Sequence, residues 1–144
     1  MDKTSHPFPL PETLPRDLAA VHSYWRGLRR AGNEMPFSDD LDPAALSKAA
    51  GQVLLLDVFD MPERFRFGHL AGDLLLAQET ARSGKFIDEI DLGAPLAFLR
   101  AQASATVEAR APTCYVGNGI MRLLLPMWGD GRISLLLGAV QATR

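Results

Sequence analysis

Two glycine-rich turn signals divide the last third of the chain into three short strand-like runs. Gly117-Asn118-Gly119 and Gly129-Asp130-Gly131 supply the positive φ values that tight hairpin loops demand. The runs that they separate cover residues 113–116, 120–128 and 133–140. The spacing therefore predicts an antiparallel meander of three strands.

The second and third of these runs are apolar on both faces of the expected strands. The two alternating sets of the second run are Met121, Leu123, Leu125 and Met127 on one face and Ile120, Leu124, Pro126 and Trp128 on the other. An antiparallel strand with one wet face should instead alternate apolar and polar residues. We therefore expect both sides of the sheet to be covered, and we predict a homodimer because a single chain would otherwise expose much apolar surface.

Composition and charge exclude several classes of protein. The 144 residues are enough for one ordinary domain, and 47% hydrophobic with 22% charged residues is typical of a globular chain. A formal net charge of −2 gives no electrostatic footprint for nucleic acid, and no apolar run approaches the roughly 20 residues of a membrane span. The single cysteine, Cys114, suits a reducing compartment. We expect a cytoplasmic protein that binds neither nucleic acid nor membranes.

The N-terminal part is expected to form an extended arm followed by a striped helix. Residues 1–13 are proline-rich and form the arm, and residues 14–144 form the predicted single domain. The helix is predicted from Pro15 to Arg30, with an apolar stripe that begins at Leu14. The stripe can pack on its own domain or on a second copy of the chain. In the second case the candidate dimer interface consists of Leu18, Val21, Trp25 and Leu28.

The middle of the chain alternates short helices and strands. A short helix is predicted at 44–50, followed by strands at 53–58 and 64–70. The second of these strands alternates apolar with polar residues, which favours an edge position. Helices are then predicted at 73–81 and from Pro95 to just before Pro112.

A series of short motifs follows in order along residues 24–140. They are Tyr24-Trp25-Arg26 with Leu28 and Arg29-Arg30, Met35-Pro36, Asp42-Pro43, Leu54-Leu55-Leu56-Asp57-Val58, Arg64-Phe65-Arg66-Phe67, Leu70-Ala71-Gly72, Arg122-Leu123-Leu124-Leu125-Pro126 and Leu136-Leu137-Gly138-Ala139. Together with the strand pair, the helical crossover and the three-strand meander, they resemble the PAS domain. More specifically, the chain resembles a bacterial subfamily of short stand-alone PAS-like proteins.

The resemblance implies an α+β fold with three layers, α/β/α, around a five-stranded antiparallel sheet in the order 2-1-5-4-3, with an N-terminal amphipathic helix. In this family the crossover helices pack on one face of the sheet and often enclose a small-molecule pocket. The other face commonly meets an N-terminal helix or a second protomer. The leucine-rich segment 73–79 departs from the family pattern, so leucines can rebuild or fill the pocket wall there.

Four residues form the candidate ligand-binding set, and Arg122 is the first of them. It interrupts an otherwise apolar strand, so its charge needs an ion-pair partner such as Asp57 or Glu108, solvent at a cleft, or a ligand carboxylate or phosphate. The other candidates are His69, Phe67 and Trp128. His69 can hydrogen-bond a ligand, or it can be a satisfied histidine of a half-buried strand.

The sequence shows no pattern for catalysis or for a metal site. Its three histidines lack paired metal spacing, and the acids of segment 88–91 lack the calcium-loop pattern. Haem-binding PAS domains place the ligand histidine on the crossover helix, and flavin-binding relatives use an Asn-Cys-Arg motif; this chain has neither. We therefore predict no enzyme activity, no metal, no haem and no flavin, and interpret Cys114 as a buried structural thiol.

The sequence thus predicts a PAS-like sensory or regulatory module. It would act by small-molecule binding, by protein–protein interaction or by both, without catalysis. Lacking an output domain, it would signal through a protein partner in trans. The alternative is a purely structural dimerisation or interaction module with a filled core and no ligand.

Overall fold

The computed structural model describes residues 8–30, 33–42, 45, 53–68, 85–89, 97–117 and 119–142. Its helices and strands, in chain order, are α1 (Arg16–Leu28), β1 (Val53–Phe59), β2 (Arg64–Phe67), α2 (Leu99–Ala109), β3 (Thr113–Gly117), β4 (Ile120–Gly129) and β5 (Arg132–Ala142). Short 3-10 helices lie at Ser38–Asp40 and Ile87–Glu89.

The five strands form one antiparallel sheet in the order β2-β1-β5-β4-β3. The α+β class and this strand order, both expected from the resemblance, are confirmed. The three-strand meander is confirmed as well, with each strand slightly longer than the sequence predicted. Strand β2 lies at an edge of the sheet, as its alternating sequence indicated.

The β4–β5 hairpin closes at the two residues that its turn signal indicates. Asp130 and Gly131 both have positive φ angles, 54° and 78°, and Gly129 pairs directly with Arg132 across the turn. This is the backbone geometry of a two-residue hairpin loop, which an Asp-Gly pair adopts at little steric cost. At the other predicted turn Asn118 lies outside the described residues.

The pairing registers divide the side chains of the sheet into two apolar faces. Directly paired residues share a face, so Arg122 lies on the same side as Tyr115 and Val140. This side, called the Arg122 face, also carries Thr113, Leu124, Leu136, Leu54, Leu56, Phe65 and Phe67. The opposite side, called the Leu123 face, carries Cys114, Met121, Leu123, Leu125, Ala139, Leu137 and Leu55.

Helix α1 buries its apolar stripe within the chain itself. The side chains of Leu18, Val21 and Trp25 are buried, and Leu28 packs partly buried against the same core. The first three leave almost no surface for a second copy, so the dimer contact proposed through them is replaced by packing on the chain's own sheet. Of the two uses of the stripe that the sequence left open, this is the one observed.

Two hydrogen bonds fix α1 on the Leu123 face. The backbone N–H of Asp17 donates to Oε1 of Gln141 on β5 (2.9 Å), and Gln141 pairs with Met121 of that face. The indole Nε1 of Trp25 donates to the carbonyl of Pro126 (2.9 Å), and this bond is buried. The helix is therefore attached at both its first and its last turns.

Helix α2 packs on the Arg122 face. Its buried side chains are Leu99, Gln102, Ala103 and Thr106, and Gln102 hydrogen-bonds to Arg122 and Thr113 of that face. Left-handed residues bound the helix on both sides, Phe98 with φ 62° and Arg110 with φ 55°. The helix ends before Pro112, as predicted.

Both edges of the sheet are in contact with other segments of the chain. On the outer side of β3, the backbone N–H of Cys114 donates to the carbonyl of Phe8 in the N-terminal arm (3.2 Å). On the outer side of β2, the N–H of Phe67 donates to the carbonyl of Lys85 (2.9 Å). The arm that the sequence predicts as extended is thus held against the sheet at Phe8.

Several predicted elements lie outside the described residues. They are all but Ala45 of the helix predicted at 44–50, the helix at 73–81 with its leucine-rich segment, Pro95, the last two residues of the strand predicted at 64–70, and residues 1–7 of the arm. Within the described ranges no helix is long and apolar enough to cross a membrane.

Replacement of Trp25 tests the docking of α1. Trp25→Ala removes a buried indole and its bond to Pro126, so we expect the free energy of unfolding to fall by about 3–5 kcal/mol. Ser23→Ala, at an exposed position of the same helix, should change it by less than about 0.5 kcal/mol. Urea denaturation followed by circular dichroism measures both. Equal, small effects would show that α1 is not docked.

Gly138 provides a second test, because leucines occupy the space where a side chain would begin. A Cβ on Gly138 would lie 2.9 Å from Cδ2 of Leu124 and 2.9 Å from Cγ of Leu54. We expect Gly138→Ala to lower the free energy of unfolding by about 1–3 kcal/mol through overpacking. Gly68→Ala is the matched control, since its Cβ would meet only ordinary contacts, the nearest at 3.4 Å. A Gly138→Ala variant as stable as this control would contradict the packing.

Candidate functional site

Arg122 is a fully buried cation held between α2 and the sheet. Its Nε donates to Oε1 of Gln102 (2.7 Å), and its Nη2 donates to the carbonyl of Ala97 (2.9 Å). Its guanidinium carbon lies 4.6 Å from the ring centroid of Tyr115, within cation–π distance. Burial lowers the pKa of Arg122 to about 10, although Tyr115 and Cys114 act in the opposite direction. The group therefore remains charged at neutral pH.

Three further polar side chains extend this site into a connected network. Gln102 Nε2 donates to Oγ1 of Thr113 (3.0 Å) and to the carbonyl of Arg122 (3.1 Å). Thr106 donates to the carbonyl of Gln102 (2.8 Å), and its hydroxyl oxygen lies 2.6 Å from that of Thr113. Arg122, Gln102, Thr106 and Thr113, called the Arg122 cluster, are all buried. The cluster joins α2 to both β3 and β4.

The sequence identified only one member of this cluster. Gln102 and Thr106 lie four residues apart, on the side of the helix that also carries Leu99 and Ala103. Polar residues at buried helical positions are a usable signal, because such groups need hydrogen-bond partners nearby. Thr113 gave no such signal, since threonine is common in strands.

One of the predicted ion-pair partners of Arg122 is wrong. Asp57 lies on β1, where its carboxylate is 3.1 Å from Nη2 of Arg66. It belongs with Leu135 and Arg66 to the Leu123 face, so the sheet separates it from Arg122. Glu108 is exposed on α2.

The other sequence-predicted ligand residues do not gather around Arg122. Phe67 is buried on the Arg122 face, but its strand β2 lies three strand spacings from β4, roughly 14 Å at the usual interval. Trp128 is half-buried at the far end of β4, beyond a register shift between Met127 and Trp128. His69 lies outside the described residues. The predicted set is therefore not one site.

Trp128 instead lines two grooves at the surface. One, of about 340 Å³, also involves Met35 and Phe37; the other, of about 240 Å³, includes Val58 and Ile133. Arg110 also lines both grooves, and its guanidinium carbon lies 5.1 Å from the Trp128 ring centroid. These grooves lie at the end of α2, away from the Arg122 cluster.

The centre of the Arg122 face is filled with leucine. Leu56, Leu124 and Leu136 are fully buried, and Leu54 and Leu124 close over the bare backbone of Gly138. The described part of this face therefore combines a polar cluster on β3 and β4 with a packed apolar region on β1 and β5.

No metal centre is formed by the described residues, among which no three His, Cys, Asp or Glu side chains gather. Cys114 is buried on the Leu123 face. Burial raises the pKa of its thiol to about 11, while the charge of Arg122 acts against this shift. A thiol with so little thiolate at neutral pH is a poor nucleophile and a poor metal ligand.

Alkylation of Cys114 checks this environment. At pH 8 the thiolate fraction of a group with a pKa near 11 is on the order of 100-fold below that of an ordinary cysteine. We therefore expect iodoacetamide to modify the folded protein at least that much more slowly than the urea-unfolded protein, as measured by mass spectrometry. Similar rates in both states would mean that the thiol is accessible.

Comparison with protein-family models, with curated protein sequences and with solved structures gives no match for this chain.

Proposed function

We propose that the chain is a PAS-like regulatory module, with a three-layer α/β/α architecture, that acts by binding and without catalysis in the cytoplasm. The strand order supports this architecture, and so do the contacts of α1 with the Leu123 face and of α2 with the Arg122 face. The observation that carries the proposal is the Arg122 cluster. It is a buried polar network in the layer where PAS-like domains enclose a pocket.

The cluster gives α2 a discrete connection to the sheet. Its side-chain hydrogen bonds are 2.6–3.1 Å long and join one helix to two strands. Displacement of α2 by a ligand or a partner breaks them together, and each buried polar group left unpaired costs about 1–3 kcal/mol. Such an interface is stable when all of its bonds are formed, and a partly displaced helix has a high free energy. This suits a two-state response.

Binding of a small anion is the first form of this function. Two of the hydrogen bonds that the guanidinium of Arg122 donates go to neutral oxygens, those of Gln102 and Ala97. A ligand carboxylate or phosphate forms stronger, charge-assisted bonds with a guanidinium than neutral oxygens do. An anion that enters beneath α2 therefore competes for Arg122 and loosens its bond to the helix.

A structural interaction module without a ligand is the second candidate, and the packing at Gly138 favours it. Leu54 and Leu124 leave no room there for even a methyl group. A face filled in this way acts as a scaffold, and its binding surfaces then lie on the outside of the molecule.

We propose a homodimer for both candidate functions, the ligand-binding module and the structural interaction module. Helices α1 and α2 pack on opposite faces of β4, and most side chains of β4 and β5 are buried within the single chain. This removes the original reason for expecting a homodimer, but exposed apolar side chains supply another. Val116, on the edge strand β3, is 63% exposed, and Phe98 is 66% exposed, with its ring centroid 5.8 Å from that of Tyr115, also on β3. Val116 pairs with Met121 of the Leu123 face and Tyr115 pairs with Arg122, so exposed apolar groups lie on both sides of this sheet edge and mark it as an interaction surface.

Native mass spectrometry of the protein as purified tests the proposal and separates its two forms. A retained small molecule supports the ligand-binding form, and a dimer without a ligand supports the structural form. A bare 15.7-kDa monomer at micromolar concentration would contradict both.

A double-mutant cycle tests the role of the Arg122 cluster. Arg122→Met and Gln102→Leu each leave buried polar groups unpaired, so each should lower the free energy of unfolding by about 1–3 kcal/mol. The double variant removes both partners, so its loss should be smaller than the sum by about 0.5–3 kcal/mol. Urea denaturation measures the cycle.

Arg100→Met is the matched control for this cycle, because Arg100 is exposed on the same helix. It should change the free energy of unfolding by less than about 0.5 kcal/mol. Additive effects of Arg122→Met and Gln102→Leu would show that the two side chains are not coupled. The cluster could not then connect α2 to the sheet.

A further inference from the structure

A basic groove of about 600 Å³ runs between α1 and the end of α2. One wall is α1, which contributes His22, Trp25 and Arg26 from one helical side, together with Arg29, the residue that directly follows the helix. The other wall is the turn at 109–112, where α2 ends and the chain leads into β3. Leu10 of the arm and Glu34 complete the lining.

Arg26, Arg29 and Arg110 line this groove, and their pairing differs from that of other arginines of the chain. Arg30, Arg64 and Arg66 each pair with a carboxylate, those of Asp40, Asp88 and Asp57. Within the described ranges, no carboxylate lies within ion-pair distance of Arg26, Arg29 or Arg110. In a chain with a formal net charge of −2, the groove is therefore a local concentration of positive charge.

The positive charge of the groove lowers the pKa of one lining histidine, and aromatic rings restrain two of its arginines. The pKa of His22 is lowered by burial first, and then by the charges of Arg26 and Arg29. Arg29 lies over the ring of Trp25, at 5.6 Å from its centroid, and Arg110 lies over that of Trp128 at 5.1 Å. Stacking of this kind restrains a guanidinium while leaving its N–H donors free for an anion.

The groove continues into neighbouring ones through the same arginines. Arg26 and Arg29 also line a groove of about 360 Å³ over Ser23 and Gly27. Arg110 also lines the two grooves that Trp128 lines. The grooves therefore adjoin one another at arginines, and together they are called the surface track. An extended chain can contact several adjoining grooves at once, whereas a compact small molecule fits only one of them.

We propose that this track docks an acidic, extended segment of a protein partner, with its carboxylates on Arg26, Arg29 and Arg110. A sequence pI near 5.9 disfavours nucleic acid as the occupant, because nucleic-acid-binding domains are strongly basic. The inference rests on the proposed function, since a regulatory module that acts by binding a protein partner needs a docking site. Its test uses other residues than the Arg122 cycle, so failure of one is distinguishable from failure of the other.

Fluorescence anisotropy with fluorescein-labelled hexaglutamate tests the proposal at low ionic strength. We expect saturable binding to the wild-type protein, weakened by added salt, and no binding of labelled hexaglutamine. The double variant Arg26→Gln/Arg110→Gln removes one cation from each wall and should weaken binding about 4- to 20-fold. Arg16→Gln/Arg100→Gln makes the same change of net charge at exposed positions outside the groove and should change binding less than twofold.

Nuclear magnetic resonance of the His22 imidazole gives a second readout that does not depend on the variants. A carboxylate docked on Arg26 and Arg29 offsets the charges that depress the pKa of His22, so hexaglutamate should raise this pKa and bind more tightly at lower pH. Equal weakening by both double variants, an unchanged His22 pKa, or no saturable binding would overturn the proposal. Tighter binding of a labelled deoxythymidine hexamer than of hexaglutamate would also overturn it, in favour of nucleic acid.

Discussion

The placement of α2 depends on the burial of one guanidinium group. A cation removed from water loses its hydration, and only well-directed hydrogen bonds make that tolerable. Gln102 presents its oxygen to Arg122 and its nitrogen to Thr113 at the same time, so its amide can be oriented in only one way. Thr106, one turn further on, repeats the contact with Thr113. Rotation of the helix by one residue, about 100°, would lose all of these bonds.

The same face of the sheet uses two different kinds of packing. On β3 and β4 the face contacts α2 through polar, directional bonds, whereas on β1 and β5 it carries a layer of leucine side chains closed over Gly138. Apolar packing tolerates small displacements better than a hydrogen-bond network does. Displacement of α2 would therefore break the hydrogen bonds of the Arg122 cluster, while the leucine side chains over Gly138 keep their packing.

The sequence predicted the sheet well because its signals are local. Asp130-Gly131 fixes the hairpin, and the lack of alternation in β4 predicts cover on both faces, which α1 and α2 provide. The apolar stripe of α1 was also predicted from the sequence, but an apolar stripe alone does not determine which surface the helix packs on.

The site was harder to predict, because it depends on pairings between distant parts of the chain. Arg122 and Trp128 are an even number of residues apart, so the alternation of a regular strand would place both on one side of the sheet. A register shift between Met127 and Trp128 breaks this alternation, and the length of β4 keeps the two side chains apart. Asp57 failed as a partner because its own register puts it on the opposite face, beside Arg66. Gln102 lies twenty residues before Arg122, and no pattern in the sequence joins them.

The two hydrogen bonds at the outer strands have a consequence for how copies of this chain can assemble. Unpaired edge strands invite another chain to extend the sheet, which is a route to fibres. Here the carbonyl of Phe8 occupies an amide of β3, and the carbonyl of Lys85 occupies one of β2. Growth by strand addition at these two positions requires one of these segments to be displaced first. Assembly is thereby directed towards side-chain contacts, which can close into a finite complex, and away from open-ended polymerisation.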